Sequence, residues 1–277
     1  MKCAWNELLS ILPPQIRQDV DRLGKDDLQE LRLRVGKRFL LVKYNRTVEL
    51  NALVKKDDLQ FIINAASHYS PWTSQTVKDG YITAQGGHRI GLCGEALIRD
   101  GQMAGISNVL SMNIRVARDI PGVSRNLQLR KENLLIIGPP GSGKTTMLRD
   151  IIRHLGKDHH VSVVDERGEI FPPHASFDAG DHADILVGCN KEFGIDMVLR
   201  TMSPQIIAVD EITSSHDCIA LMHAGWCGVN LVATVHASSV DDLLRRPVYK
   251  PLVECGLFDT AVILRTDKTY YTERMRS

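Results

Sequence analysis

The chain has 277 residues, 43% of them apolar and 24% charged, which is the composition of a folded globular protein with length for roughly two domains. A small disulfide scaffold and a disordered tail are thereby excluded. The net charge of +1 excludes a basic footprint for nucleic acid or anionic lipid over the whole chain. It hides a split, however: residues 1–130 carry 19 Lys+Arg against 13 Asp+Glu, and residues 131–277 carry 15 against 20. Opposite signs on the two halves are either accidental or reflect faces that meet, within one subunit or between neighbours.

No apolar run reaches the about 18 residues of a membrane span. The start, Met1 to Glu7, is broken too early by polar residues to read as a secretory signal. The expectation is a soluble or peripheral cytoplasmic protein. Six scattered cysteines, with no CxxC pair, read as reduced thiols, mostly in the core, and not as a metal site.

In chain order, a short helix over Pro13 to Leu23 precedes an alternating strand, Leu31 to Val35. Phe39 to Val42 and Tyr44-Asn45-Arg46-Thr47-Val48 read as a hairpin, and Asp57 and Asp58 read as caps of a helix with Leu59, Ile62, Ile63 and Ala66 on its apolar face. Residues 80–118 are strand-rich, with turns at Gly86-Gly87 and Arg99 to Gln102. Residues 1–120 are thus a smaller α+β domain and 121–130 a linker. From 131 to 277, short wholly apolar runs alternate with helical stretches: Leu134–Ile137, Val161–Val164, Ile206–Val209 and Leu231–Val235. Such runs are strands of a mainly parallel sheet buried on both faces, and the class is α/β.

Gly138-Pro139-Pro140-Gly141-Ser142-Gly143-Lys144-Thr145 matches GxxxxGK[ST]. It follows one apolar run and precedes a helical stretch from Thr146 to Leu155, the context this phosphate-binding loop requires. Its small residues let backbone N–H groups turn inward around phosphates, with the helix N-terminus behind them. Lys144 should reach the β- and γ-phosphates of ATP, and the Thr145 hydroxyl should ligate Mg²⁺. Downstream, Asp210-Glu211 closes an apolar strand: Asp210 suits the Mg²⁺ site, and Glu211 can activate a water. Two further runs lead into Asp165-Glu166-Arg167-Gly168-Glu169 and into His236. Parallel strands place their carboxyl ends on one edge, so Gly138, Asp165, Asp210 and His236 should converge on one nucleotide. His236 could meet the γ-phosphate or the water, and Glu166 and Glu169 compete with Glu211 as base.

Together these features resemble the secretion-ATPase superfamily, the ring motors of type II and type IV secretion and of pili, and within it a sporulation family. The resembling stretches run from Gly87-His88-Arg89-Ile90-Gly91-Leu92-Cys93-Gly94 and Asn113 to Arg118, through the phosphate loop and Val164 to Ile170, to Leu199 to Pro204 and Val209 to Ile212. Arg245-Arg246-Pro247 extends them. The resemblance implies a RecA-like core and a hexameric, Mg²⁺-dependent ATPase at the cytoplasmic face of a membrane. The place would be the mother-cell side of the forespore envelope, working with integral membrane proteins of a channel. It also implies that Asp165 to Glu169 is the family's Asp box and that His236 belongs to its His box. The chain departs in having Asp210-Glu211 for the usual Gly-Glu and Thr213-Ser214 for an Arg-Asp pair.

In ring NTPases an arginine from a neighbouring subunit or domain stabilises the transition state. Arg115 and Arg118 are the candidates here, with Arg89 and Arg200 behind them. Trp5, Trp72 and Trp226 read as packing residues, Tyr81 as core or strand surface, and Arg245-Arg246 as a solvated helix end. The competing class is a RecA-like nucleic-acid remodelling ATPase, followed by a nucleotide-gated scaffold. With aromatics at 5% and no basic stripe interleaved with them, direct nucleic-acid binding is not expected.

Overall fold

The computed structural model describes residues 3–44, 46–67 and 80–275, so the expectations for Asn45 and Trp72 lie outside the described residues. Two compact units emerge, Met1–Asp119 with Pro172–Phe177, and Ile120–Phe171 with Asp178–Ser277.

In the first unit, α1 (Trp5–Ile11) and α2 (Pro14–Gly24) lead into β1 (Leu28–Arg34), β2 (Arg38–Lys43) and β3 (Thr47–Leu53). Helix α3 (Lys56–Ser67), β4 (Tyr81–Thr83), β5 (Arg89–Arg99) and β6 (Gln102–Arg115) follow. The strands form one sheet in the order β3-β2-β1-β6-β5-β4. Alternation decides its faces: Leu31 and Leu33 point into a core shared with Leu8, Ile16 and Val20 of the helices, while Arg32 and Arg34 face out. Pro14 opens α2 in its first turn, where a missing N–H costs nothing. Asp58 accepts the Lys55 N–H at 2.8 Å, so it reaches back as a third-position acid and not as the cap expected for Asp57 and Asp58.

The second unit begins with β7 (Leu134–Ile137), α4 (Lys144–Leu155), β8 (Val161–Asp165) and β9 (Ala183–Val187). It continues with α5 (Lys191–Thr201), β10 (Ile206–Ile212), α6 (Ser215–Trp226) and β11 (Asn230–Val235). Short helices α7 (Val240–Leu244) and α8 (Lys250–Glu254) precede the hairpin β12 (Thr260–Leu264) and β13 (Tyr270–Arg274). The order is β13-β12-β7-β11-β10-β8-β9, parallel throughout except β13 against β12. Leu135, Ile137, Val209 and Ala233 share one cluster with Ile195 and Val198 of α5 and Leu221 of α6. Helix α4 packs on β7, β10 and β11 with buried Leu148, Ile151 and Ile152. A sheet covered on both faces in this way explains why its central strands read as unbroken apolar runs.

Two expectations are corrected. Only Cys218 of the six free thiols is buried, while Cys93, Cys227 and Cys255 are exposed, because they sit on a hairpin arm and at helix ends. Trp226 is 74% exposed in the last turn of α6, whereas Trp5 packs as expected and donates to Asp21 Oδ1 at 2.6 Å. Arg245 and Arg246 are exposed at the end of α7, as expected of a solvated helix end, and Arg246 pairs there with Asp242 at 2.9 Å and donates to the His236 carbonyl at 3.0 Å. Tyr81 lies on β4 with the Arg89 guanidinium 4.0 Å from its ring centre.

Candidate functional site

Strand β7 lies between β11 and β12, with Ile137 in register with Val235 and Ile263. The chain leaves the sheet at Gly138, whose N–H donates to the Val235 carbonyl at 3.3 Å. A Cβ at Gly138 would lie 2.4 Å from Ser142 Oγ, so only glycine lets the loop fold back there. Gly141 (φ +73) and Gly143 (φ +101) take left-handed conformations that end the loop and start α4. Pro139 is half-buried and Pro140 exposed on the rim, and Thr146 is half-buried in the first helical turn. Ser142 Oγ is buried with no hydrogen-bond partner among the described residues. A buried hydroxyl left this way is costly, and a phosphate oxygen is the partner that loop chemistry supplies, so the loop fits a nucleotide.

Lys144 is only 6% exposed; it folds over its own loop, donating to the Pro139 carbonyl at 3.1 Å and to His236 Nδ1 at 2.9 Å. Burial pushes its pKa down, against the opposing charges of Asp210 and Glu211. The ammonium has only protons to offer, so Nδ1 accepts and the ring proton sits on Nε2, donated to Glu211 Oε1 at 3.1 Å. Thr145 Oγ1 donates to Asp210 Oδ2 at 2.6 Å. A hydroxyl and a carboxylate facing each other beside the phosphate loop are the donor set that suits Mg²⁺ with substrate phosphates.

Two residues that sequence reasoning missed hold the acids. Thr234, fully buried on β11, donates its hydroxyl proton to Asp210 Oδ1 and accepts the Glu211 N–H at 2.8 Å. Glu211 sits at φ +53, where the β10–β11 register shifts. Arg167 then donates to Glu211 Oε2 at 3.1 Å. The available signal for Thr234 was a hydroxyl inside an otherwise apolar strand, since a buried polar side chain needs a partner. Arg167 carried none beyond its place in the Asp box.

Asp165, 2% exposed, accepts the N–H groups of Glu169, Ile170 and Phe171, each at 2.9 Å. Burial pushes its pKa up against those bonds, and its carboxylate is spent on shaping the loop. Glu166 is paired with buried Lys191. Glu166, Arg167, Glu169, Asp210 and Glu211 line one cleft. The structure thus brings together the phosphate loop, Thr145, Asp210, Glu211 and His236.

Arg115 and Arg118 belong to the first unit. Arg115 is exposed at the end of β6, and the Arg118 guanidinium donates to the carbonyls of Leu28, Asp26 and Lys25 at 3.0, 3.3 and 3.1 Å. Arg200 is paired with Asp196 on α5. Ser214 caps α6 in a capping box with Asp217.

A family model described as sporulation stage III, protein AA, matches residues 4–273. The chain belongs to the stage III sporulation protein AA family. The Bacillus subtilis (strain 168) stage III sporulation protein AA is 35% identical to it over 92% of this chain and 89% of that protein. Among solved structures, the Legionella pneumophila ATPase DotB superposes with a TM-score of 0.59 at 17% identity, covering 94% of this chain and 78% of its own. The pilus retraction motor PilT, solved with bound ADP, gives 0.63 at 15% identity, covering 90% and 76%. At such identities the likeness shows the fold. This member of the stage III AA family therefore has the α/β, RecA-like core of the secretion ATPases preceded by a smaller α+β unit.

Proposed function

We propose that the chain is a Mg²⁺-dependent ATPase that drives a membrane-associated secretion or channel assembly. The observation that carries this is the position of Glu211, held between His236 and Arg167 and one residue from Asp210, which faces Thr145. A nucleotide-binding module needs the loop, Thr145 and Asp210; the second acid, locked by Thr234, is what water activation adds.

Thr145 and Asp210 would hold Mg²⁺, which supplies charge neutralisation on the β- and γ-phosphate oxygens. The N–H groups of Gly141 and of 143–146, with the Lys144 ammonium, bind and orient the phosphates. Glu211 takes the proton of the attacking water through the carboxylate that His236 and Arg167 orient. Glu166 and Glu169 line the same cleft, and Glu211 is favoured as base because it adjoins Asp210, which faces Thr145. Arg115, exposed at the end of β6, and Arg118, on the carbonyls of Leu28, Asp26 and Lys25, are the candidates for reaching a neighbour's nucleotide.

The resemblance to ring motors carries the remaining readings: self-association into a hexamer, integral membrane partners in a sporulation channel, and a peripheral cytoplasmic place. Among the described residues no helix is long and apolar enough to cross a membrane. The basic 1–130 and acidic 131–277 stretches suit contacts between ring neighbours. The test is phosphate release from ATP and Mg²⁺, with mass by light scattering in the same buffers. Turnover abolished in Lys144→Ala, with larger particles formed in ATP, supports the reading. A monomer without turnover contradicts it, and turnover raised by single-stranded nucleic acid and lost with salt would favour a remodelling enzyme.

A further inference from the structure

The β12–β13 hairpin carries a lysine outside every motif read from the sequence. Strand β12 runs parallel to β7 in register, Val262 with Ile136 and Ile263 with Ile137, so its end arrives beside the phosphate loop. Leu264 packs there closely: a Cβ on Gly138 would lie 3.2 Å from Leu264 Cβ. The turn beyond it is tied down, with Arg265 N–H donating to the Thr269 carbonyl at 2.9 Å and Asp267 Oδ1 accepting Thr269 N–H and Oγ1–H at 2.9 and 2.6 Å. At its tip Lys268 holds a left-handed conformation, φ +69, that a non-glycine residue adopts at a cost. Its ammonium donates to the carbonyl of Gly141, in the middle of the phosphate loop.

Two lysines thus converge on one loop: Lys144 from within it and Lys268 from the hairpin. Desolvation pushes the Lys268 pKa down. Two ammonium groups on one glycine-rich loop, beside a Ser142 hydroxyl with no partner among the described residues, make a place for phosphate oxygens. The strand order β12-β7-β11-β10 puts Lys268 on one side of the loop and His236, Asp210 and Glu211 on the other. The acids must face the γ-phosphate to activate its attacking water, which leaves the inner phosphates to the hairpin side.

We propose that Lys268 is a second phosphate-binding lysine that closes on the α- and β-phosphates of the bound nucleotide from the side opposite the acids. The proposal rests on the nucleotide site argued above. Inner phosphates are common to ATP and ADP and do not change charge in the hydrolytic step, so Lys268 contributes binding without contributing to the barrier.

The experiment titrates the full chain in Mg²⁺ with fluorescent N-methylanthraniloyl ATP and ADP, alongside steady-state kinetics, for wild type, Lys268→Met, Lys268→Arg and Lys144→Ala. Lys268→Met should weaken ATP and ADP alike by about tenfold and raise KM equally, as loss of a charge-assisted bond does, with kcat within about twofold. Lys268→Arg should recover most of the affinity, which a folding defect or a merely structural role would not predict. Unchanged affinity in Lys268→Met, a loss confined to ATP, or a fall in kcat overturns the assignment while leaving the nucleotide site intact. Wild type that binds neither nucleotide, or Lys144→Ala that binds both normally, overturns the nucleotide reading and Lys268 with it.

Discussion

The Nζ of Lys144 and the Nδ1 of His236 lie 2.9 Å apart, and the opposite ring nitrogen of His236 lies 3.1 Å from Glu211 Oε1. One imidazole therefore joins the lysine proposed to meet the phosphates to the carboxylate proposed to take a proton from water. On that proposal a phosphate arriving at Lys144 would compete with Nδ1 for the ammonium's protons, and occupancy of the loop would be felt at Glu211 through His236.

Replacing His236 with Ala should leave nucleotide affinity within a few-fold and lower turnover by about 10²-fold, the scale of a lost acid–base partner. Comparing ATP affinity with the rate of phosphate release in the same protein checks this. An affinity loss as large as the rate loss would assign His236 to binding instead.

Thr234→Val removes a hydroxyl that serves Asp210 Oδ1 and the Glu211 N–H together. Valine fits the volume but leaves a half-buried acceptor and a half-buried donor without this partner. The expected cost is about 1–3 kcal/mol of stability, with turnover reduced as Glu211 loses its hold on φ +53. Urea unfolding and the hydrolysis rate measure the two effects, and Thr234→Ser should restore both.

The phosphate loop was legible because strand, turn and helix are contiguous in sequence and each residue type has a local reason. The four central strands were legible because burial on both faces removes polar residues from them. Long-range placement was not: nothing local to Asp267-Lys268-Thr269 shows that it meets Gly141, 127 residues away. Strand β9, Ala183-Asp184-Ile185-Leu186-Val187, is hard to read because Asp184 cuts an otherwise apolar run to three residues and the strand lies at the sheet edge, with Asp184 and Ile185 exposed. Asp165 was read correctly as an acid at a strand end. That three backbone N–H groups would absorb it depends on how the next six residues turn. Trp226 shows the converse, since a large apolar residue does not report its own exposure.

Asp150 on α4 ties down the segment that sequence reasoning took as a linker. Its carboxylate accepts Gly122 N–H at 2.9 Å, Ser124 N–H and Oγ–H at 2.8 and 2.7 Å, and Arg153 Nη1 at 2.6 Å. Burial raises its pKa, but the Ser124, Gly122 and Arg153 donors outweigh that and hold it below the usual carboxylate range. A carboxyl whose folded pKa is depressed lends stability above its unfolded pKa of about 4 and loses it as pH falls through the folded value. Asp150→Asn should therefore cost about 3 kcal/mol near neutral pH, with the gap to wild type closing in acid. Urea midpoints at neutral and acid pH measure it; a gap independent of pH would contradict the clamp.

Cys218 is pushed up to about 11 by burial, with the charges of Asp217 and Cys255 adding to it. Its folded pKa lies above the unfolded value, so the protonated thiol supports the fold up to about pH 8.5, and that support is lost as pH rises through the folded value. Near neutral pH a thiol reagent should label exposed Cys93, Cys227 and Cys255 and spare Cys218 until denaturant is added. Peptide mass spectrometry reads the order of labelling, and early modification of Cys218 would count against its burial.

Glu211 is proposed to activate water on a nucleotide held by the phosphate loop. Glu211→Gln keeps the volume and the backbone bond to Thr234 while removing the base. Single-turnover hydrolysis, measured beside ATP affinity, tests it most directly. ATP should bind within a few-fold of wild type, and hydrolysis should slow by about 10²–10⁴-fold. Hydrolysis at the wild-type rate in Glu211→Gln would contradict it.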